Sequence, residues 1–265
     1  MKQKMLFFDT EIAKNLYAKF PSKRPEYNSH RDIIENWYII CAAWQWGDSK
    51  KVIGSSILDN LKRFHKNPTD DYHVIKTLYE QIKDADAIIG HNMAKFDWMK
   101  FMARVTYHKM RPIDRPKIID TMLMAKAIGS YDSYSLGFLC ERHGLPTKAT
   151  NRGNDLWNDI LVYSLRKDFK KLESCIKEMV KYCAPDVTAV KALYDFLLPY
   201  APPRFRLNSN LFHIDGIDGC PCCGSDNIKP RGNRLTIVGV YQRFVCKDCG
   251  SWSQAKKNLK KVMIK

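Results

Sequence analysis

Residues 6–11 read Leu-Phe-Phe-Asp-Thr-Glu. With Met5 in front, the run is short, apolar and β-prone, so residues 5–11 are expected to form a buried strand. Strand side chains repeat every two residues, which puts Asp9 and Glu11 on one face. Two carboxylates side by side on a buried strand repel unless a cation lies between them. The pair therefore points to a metal site rather than to a structural role.

Working outward, a second motif is GHNMAKFD, residues 90–97. Ala87, Ile88 and Ile89 form an apolar run ending at Gly90, and apolar positions from Phe96 to Val105 follow a helical spacing. A strand, a turn and a helix are expected. Asn92 is placed at the helix N-cap, and Asp97 in the first turns, near the positive end of the dipole. A third motif is YCAPD, residues 182–186. Positions i and i+4 share a helix face, so the Tyr182 phenol and the Asp186 carboxylate can point into one cleft. Pro185 lies between them. It either kinks the helix or starts a new one.

The order and content of these motifs resemble the DEDD exonuclease superfamily, on the RNase H-like fold. The resemblance covers roughly residues 1–200. Tyr182 fits the tyrosine branch, which includes proofreading domains of family B DNA polymerases and RNase D. The histidine branch would need a His where Lys181 stands. By this resemblance Asp9, Glu11, Asp97 and Asp186 hold two Mg²⁺ or Mn²⁺ ions, and Tyr182 positions the attacking water. Asn92, Phe96 and the backbone near Ile12 look like contacts to the terminal nucleotide. The resemblance also takes in Asp120, an additional acid expected to cap the helix after Thr121. The implied activity is metal-dependent 3′–5′ hydrolysis at the 3′ end of a single strand, releasing nucleoside 5′-monophosphates, with DNA preferred. An exoribonuclease of the RNase D kind and an inactive nucleic-acid adaptor stay open beside it.

The element order agrees with an α/β fold. Strands are expected at 4–10, 37–46 and 51–57, a helix near 70–83, strands at 86–90 and 117–120, and helices over most of 121–198. Three meandering strands followed by alternating strand and helix give a mixed five-stranded sheet flanked by helices. In the helix at 168–182, Phe169, Leu172, Ile176, Met179 and Val180 recur at core spacing. The polar segment 147–154 is expected to be a loop, with Lys148 and Arg152 available to substrate.

Prolines 199, 202 and 203 end the helical region, and 201–209 is expected to link two domains, 1–200 and 210–265. The second carries CPCCG and CKDCG. Two C-x2-C pairs about twenty residues apart have the spacing of a structural zinc site, with Cys220, Cys223, Cys246 and Cys249 as ligands. Cys222 lies inside the first pair as a competing thiol. The β-prone stretch between them completes an expected zinc ribbon. Tyr241, Arg243, Lys247 and Trp252 mix aromatics with charge, as single-strand binding requires, whereas Phe244 is assigned to the ribbon's own core. Cysteines 41, 140, 175 and 183 read as buried thiols.

The chain carries 44 Lys+Arg against 28 Asp+Glu, a formal charge of +16. The excess is present up to Leu207, with 34 basic and 24 acidic residues, and after it, with 10 and 4. Such charge draws polyanions. Single-stranded nucleic acid is the expected partner, with a polymerase acting in trans as a second. The apolar start is interrupted at Asp9 and no run reaches transmembrane length. A cytoplasmic protein is expected, in a host cell if a phage encodes it.

Overall fold

In the computed structural model the described residues are 4–18, 30–114, 116–147, 152–202, 205, 212–214, 217–220, 225–237, 239–248 and 250–261. The chain divides into two compact units, Met1–Asp120 with Ser135–Ala192, and Thr121–Tyr134 with Leu193–Lys265.

The first unit is built on β1 (Met5–Ile12), the strand of the opening motif. The hairpin-like pair β2 (Leu16–Tyr17) and β3 (Ile33–Glu35) follows. Then come β4 (Ile39–Trp46) and β5 (Ile53–Ser56), helices α1 (Leu61–Lys66) and α2 (Tyr72–Ile82), β6 (Ala87–Gly90), α3 (Asp97–Tyr107) and β7 (Lys117–Asp120). The five-stranded sheet has the order β5-β4-β1-β6-β7. β4 runs antiparallel to β1 and β5, while β6 is parallel to β1 and to β7. The expected mixed sheet is therefore present, with β1 in its centre.

Central position explains the composition of β1. Leu6, Phe7 and Phe8 are at most 1% exposed, and full burial of such side chains stabilises by roughly 1.5–3 kcal/mol each. β4 is buried at Ile39–Gln45 on both faces, which accounts for its continuous apolar run. Gly90 ends β6 where a Cβ would meet Met93 at 2.3 Å and the Phe8 carbonyl at 3.2 Å. A side chain there would displace Met93 and crowd the β1 backbone at Phe8.

Helices lie on both faces. Phe7 and Asp9 point the same way along β1, and both meet α7 (Phe169–Leu197): Lys191 stands over the Phe7 ring and Cys183 contacts Asp9. Thr10 points oppositely and meets the start of α3 at Asp97. Also in this unit are α5 (Leu136–Arg142), capped by Ser135, and α6 (Asn154–Arg166). Leu172, Ile176 and Met179 are buried as expected, while Phe169 and Val180 are half-buried.

One helix expectation is narrowed and another needs correction. α7 runs unbroken through Pro185, so no new helix starts there; burial of its apolar face outweighs the one backbone bond that proline removes. α3 starts at Asp97 with Phe96 as N-cap, not at Asn92. Asn92 instead adopts a left-handed turn conformation, φ 57°, which asparagine tolerates better than most residues.

The second unit contains α4 (Thr121–Ile128), the pair β8 (Phe212–Ile214) and β9 (Ile217–Gly219), and an antiparallel three-stranded sheet. That sheet has the order β10-β11-β12, from β10 (Ile228–Thr236), β11 (Gly239–Cys246) and β12 (Trp252–Lys261). Among the described residues no helix is long and apolar enough to cross a membrane.

Candidate active site

β1 delivers the first two acids. Asp9 and Glu11 pair across the strand gap with Ala43 and Cys41 of β4, and they share a face as their spacing requires. Their carboxylate oxygens and the Cys183 thiol of α7 lie within 4.8 Å of one another. Three donors so close have the reach of a cation site. A bulge follows between Glu11 and Ile12, and it leaves the Ile12 side chain half-buried.

Asp97 reaches the same strand by another route. Pairing of β1 with β6 ends at Phe7, so the Thr10 N–H has no strand partner on that side. It donates to Asp97 Oδ1 at 3.2 Å, and the Thr10 hydroxyl donates to the same oxygen at 2.6 Å. Asp97 is 3% exposed. Burial pushes its pKa up to about 6, against the Thr10 bonds that lower it, and the Asp120 charge adds to the rise. Asp186, 1% exposed, follows Cys183 by three residues on α7. Asp97 and Asp186 both lie outside the Asp9–Glu11–Cys183 group.

Tyr182 is half-buried and meets Trp157 of α6 edge-on, with ring centroids 5.9 Å apart. Nearby, Lys14 Nζ donates to Asn158 Oδ1 at 2.8 Å, so the exit from β1 is tied to the same helix. Phe96 is 43% exposed, a ring in solvent beside a buried acid. Asp120 turns to the β6–α3 loop. Its two oxygens accept from the N–H groups of Asn92 and Ala94, at 3.1 and 3.2 Å. These bonds make it a clamp on the turn that carries Asn92. Arg152 is ion-paired with Asp159 and Glu178, at 2.6 and 3.1 Å, so its guanidinium joins α6 to α7. Lys148 lies outside the described residues.

Cys183 is the residue that sequence reading underestimated. It was assigned as a plain buried thiol, and it is buried, yet its Sγ is 3.7 Å from Asp9 Oδ2. The thiols of Cys183 and Cys41 are hydrogen-bonded to each other; that bond, burial and the nearby acids hold the Cys183 thiol well above its usual pKa. For Cys41 the Cys183 bond lowers the pKa, but burial and the carboxylates outweigh it. Both thiols are therefore protonated and inert at neutral pH.

In the second unit Cys220 and Cys246 are buried. Each makes a backbone bond to a serine five residues on. Cys220 N–H donates to the Ser225 carbonyl and Cys246 N–H to the Ser251 carbonyl, at 2.7 and 2.8 Å. Cys220 Sγ is 3.0 Å from Ser251 Oγ, and Lys247 N–H donates to the Asn227 carbonyl at 2.8 Å, which holds the two turns together. Cys222, Cys223 and Cys249 lie outside the described residues. Trp252 lies under two guanidinium groups, Arg243 at 4.2 Å and Arg231 at 5.5 Å. Tyr241 and Phe244 are half-buried on β11.

Comparison with known proteins bears on the first unit. A family model described as 3′–5′ exonuclease matches residues 32–200. The chain belongs to the 3′–5′ exonuclease family. It is thus a hydrolytic enzyme, and the matched span holds Asp97, Tyr182 and Asp186, whereas β1 precedes it. Among solved structures, the family B DNA polymerase from the hyperthermophilic archaeon Pyrobaculum calidifontis is similar at 16% identity and a TM-score of 0.53. The match covers 78% of this chain and 27% of that chain. The exonuclease therefore shares its fold with a segment of that polymerase and spans about a quarter of its length. No curated protein matches the chain in sequence.

Proposed function

We propose that this exonuclease removes nucleotides one at a time from the 3′ end of single-stranded DNA, by the tyrosine-branch form of the DEDD chemistry. The observation that carries the proposal is the gathering of Asp9, Glu11 and Cys183 donor atoms within 4.8 Å on this fold. Asp97, bonded to Thr10 between the two strand acids, and Asp186, three residues beyond Cys183 on α7, supply further buried carboxylates.

In this reading Asp9, Glu11, Asp97 and Asp186 hold two Mg²⁺ or Mn²⁺ ions. When bound, such a pair neutralises charge on the scissile phosphate and lowers the pKa of the attacking water. The chain's own residues do the rest. Tyr182, steadied by the edge contact to Trp157, orients the water through its phenol. Phe96 offers an exposed ring to the terminal base, since base–aromatic stacking tolerates any sequence. Asn92 and the Ile12 backbone flank it, and the Asp120 clamp fixes the Asn92 turn. The product is a nucleoside 5′-monophosphate.

The proposal assigns residues 1–200 to catalysis, 201–209 to a linker and 210–265 to a zinc ribbon. One Zn²⁺ would be held by Cys220, Cys223, Cys246 and Cys249. Burial of the first and third of these, each with its N–H bonded to the carbonyl of a serine five residues on, supports it. Thiolate ligands at these positions would fold a small module that has little core of its own. The Arg231–Trp252–Arg243 stack gives the ribbon a surface for single strands. A polymerase acting in trans is the partner that the fold likeness suggests.

A gel assay on 5′-labelled DNA and RNA strands of matched sequence tests the first part, with Mn²⁺ or Mg²⁺ against EDTA and Asp9→Ala. A metal-dependent ladder shortening from the 3′ end, faster on DNA, is the expected result. Faster RNA shortening would reassign the substrate; intact strands in every metal would remove the mechanism. Zinc released by thiol titration tests the ribbon, with one equivalent per chain expected.

A further inference from the structure

The outer side of α3 carries more than the exposed Phe96. Residues 96, 100, 104 and 107 follow one another at helical spacing, two cations between two rings. Lys100 Nζ lies 4.0 Å from the Trp37 ring centroid and 6.0 Å from that of Phe96. The Arg104 guanidinium is 4.1 Å from the Tyr107 ring and 5.7 Å from Trp37. Over these positions the helix rises about 16 Å. A continuous stripe of rings and cations therefore leaves the residue next to Asp97 and ends at Tyr107, itself 67% exposed.

The stripe opens into a cavity of about 580 Å³, lined by Trp37, Arg63, Asn67, Arg104, Tyr107 and His108 among others. Its floor is rigid. Asp71, fully buried, takes Arg104 through two bonds of 2.7 Å and His108 through one of 2.6 Å. Asp71 also accepts the Ile39 N–H at 2.9 Å, which fixes Arg104 to the start of β4. The Trp37 N–H is held by Asn15 Oδ1 at 2.7 Å. Nothing in the hydrolytic site uses this cavity.

We infer that the cavity and stripe form a track for the substrate strand, holding the few nucleotides that precede the 3′-terminal one. The inference rests on the reading of Phe96 as the terminal-base contact and extends it along α3. Bases stack on Trp37 and Tyr107, while Lys100 meets the phosphate between them. Among the described residues Lys100 makes no ion pair, so its charge is available to a phosphate. Of the two acids in the cavity's lining, Asp70 is paired with Arg63 at 2.8 Å. Glu35 is the other, and its charge keeps phosphates to the Lys100 side. A small metabolite would fit the volume. It would leave unexplained why the rings run on to Phe96.

The test measures binding by the full chain in EDTA, where no hydrolysis confuses it. The probes are 5′-fluorescein-labelled thymidylates of 1 and 12 nucleotides, read by anisotropy. Trp37→Ala and Tyr107→Ala should each weaken the 12-mer about tenfold, the size of effect that loss of one stacked base carries, and leave the mononucleotide unchanged. Trp37→Phe, which keeps a stacking ring, should restore most of the loss. Unchanged 12-mer binding in both alanine variants would overturn the track, and so would an equal loss for both lengths. Hydrolysis in Mn²⁺ is scored separately. Length-dependent binding without any shortening of the strand would sink the exonuclease mechanism on DNA and leave the track standing.

Discussion

Two aspartates in the same unit are almost fully buried, and their environments push them in opposite directions. Asp71 is 0% exposed and Asp97 3%. Burial alone would raise both. At Asp71 it is outweighed by bonds from His108, Arg104 and the Ile39 N–H, and the carboxyl stays below its ordinary value. At Asp97 the two Thr10 bonds are too little, and the pKa rises to about 6. One carboxylate has been given its cation by the sequence. The other is set among acids, as a group that receives its cation from outside would be. In the proposed reading, the difference separates a structural buried charge from a catalytic one better than burial does.

The comparison can be broken most severely at the catalytic end. Asp97→Ala should lower hydrolysis by at least about a thousandfold, because a lost metal ligand removes several kcal/mol of charge stabilisation. Steady-state rates on a labelled strand, at saturating Mn²⁺, check this. If the variant kept full rate, Asp97 would be as structural as Asp71.

Next in size is the structural end. Asp71→Asn should cost about 3 kcal/mol, since it leaves Arg104 buried without its anion. For a unit of this size that is a fall of roughly 6–12 °C in Tm, measured by thermal unfolding. The rate at saturating substrate should survive per folded molecule, since Asp71 contacts none of the proposed metal ligands. A variant with unchanged Tm would show that the Asp71 knot is not holding α3 to β4.

A pH series sharpens the contrast through its sign. Asp97 has a folded pKa above the unfolded carboxyl value of about 3.9. Its contribution is thus present below pH 4 and is lost as pH rises through 6. Metal-free wild type should lose on the order of 2–3 kcal/mol across that window relative to Asp97→Asn. Mn²⁺ at pH 7 should restore it. Asp71 has the opposite sign, and its contribution disappears as pH falls below about 4. Tm against pH in EDTA, for wild type and both Asn variants, reads the two slopes.

The smallest expected effect is at Tyr182. Tyr182→Phe keeps the edge contact to Trp157 and removes only the phenol. A loss of about tenfold in kcat with unchanged KM is expected for a group that orients water. A thousandfold loss would move Tyr182 into the class of Asp97.

Much of this was legible in the chain. The run Leu6–Glu11 announced a central strand because its apolar residues and its acids both follow a two-residue period. The strands at 39–46, 87–90 and 117–120 were visible as apolar runs. What was hidden depended on partners distant in sequence. Asp71 looks like a turn acid until Arg104 arrives from 33 residues away. Cys183 looks like filler until α7 places it against a strand 174 residues earlier. Asn92 satisfied every local rule for a helix cap. A clamp from Asp120, on the neighbouring strand, held it in a left-handed turn instead, and the helix began five residues later.

The central placement of β1 also dictates when the enzyme can come into being. The first two acids emerge at positions 9 and 11, and the fourth at 186. At 5–20 residues per second, a ribosome needs roughly ten seconds or more between them. During that interval β1 is an apolar strand with two uncompensated carboxylates, waiting for β4, then β6, then α7. Contacts of such long sequence separation fold slowly. The catalytic centre is therefore among the last things the unit completes, and a nascent chain can carry most of the sheet while still unable to cut.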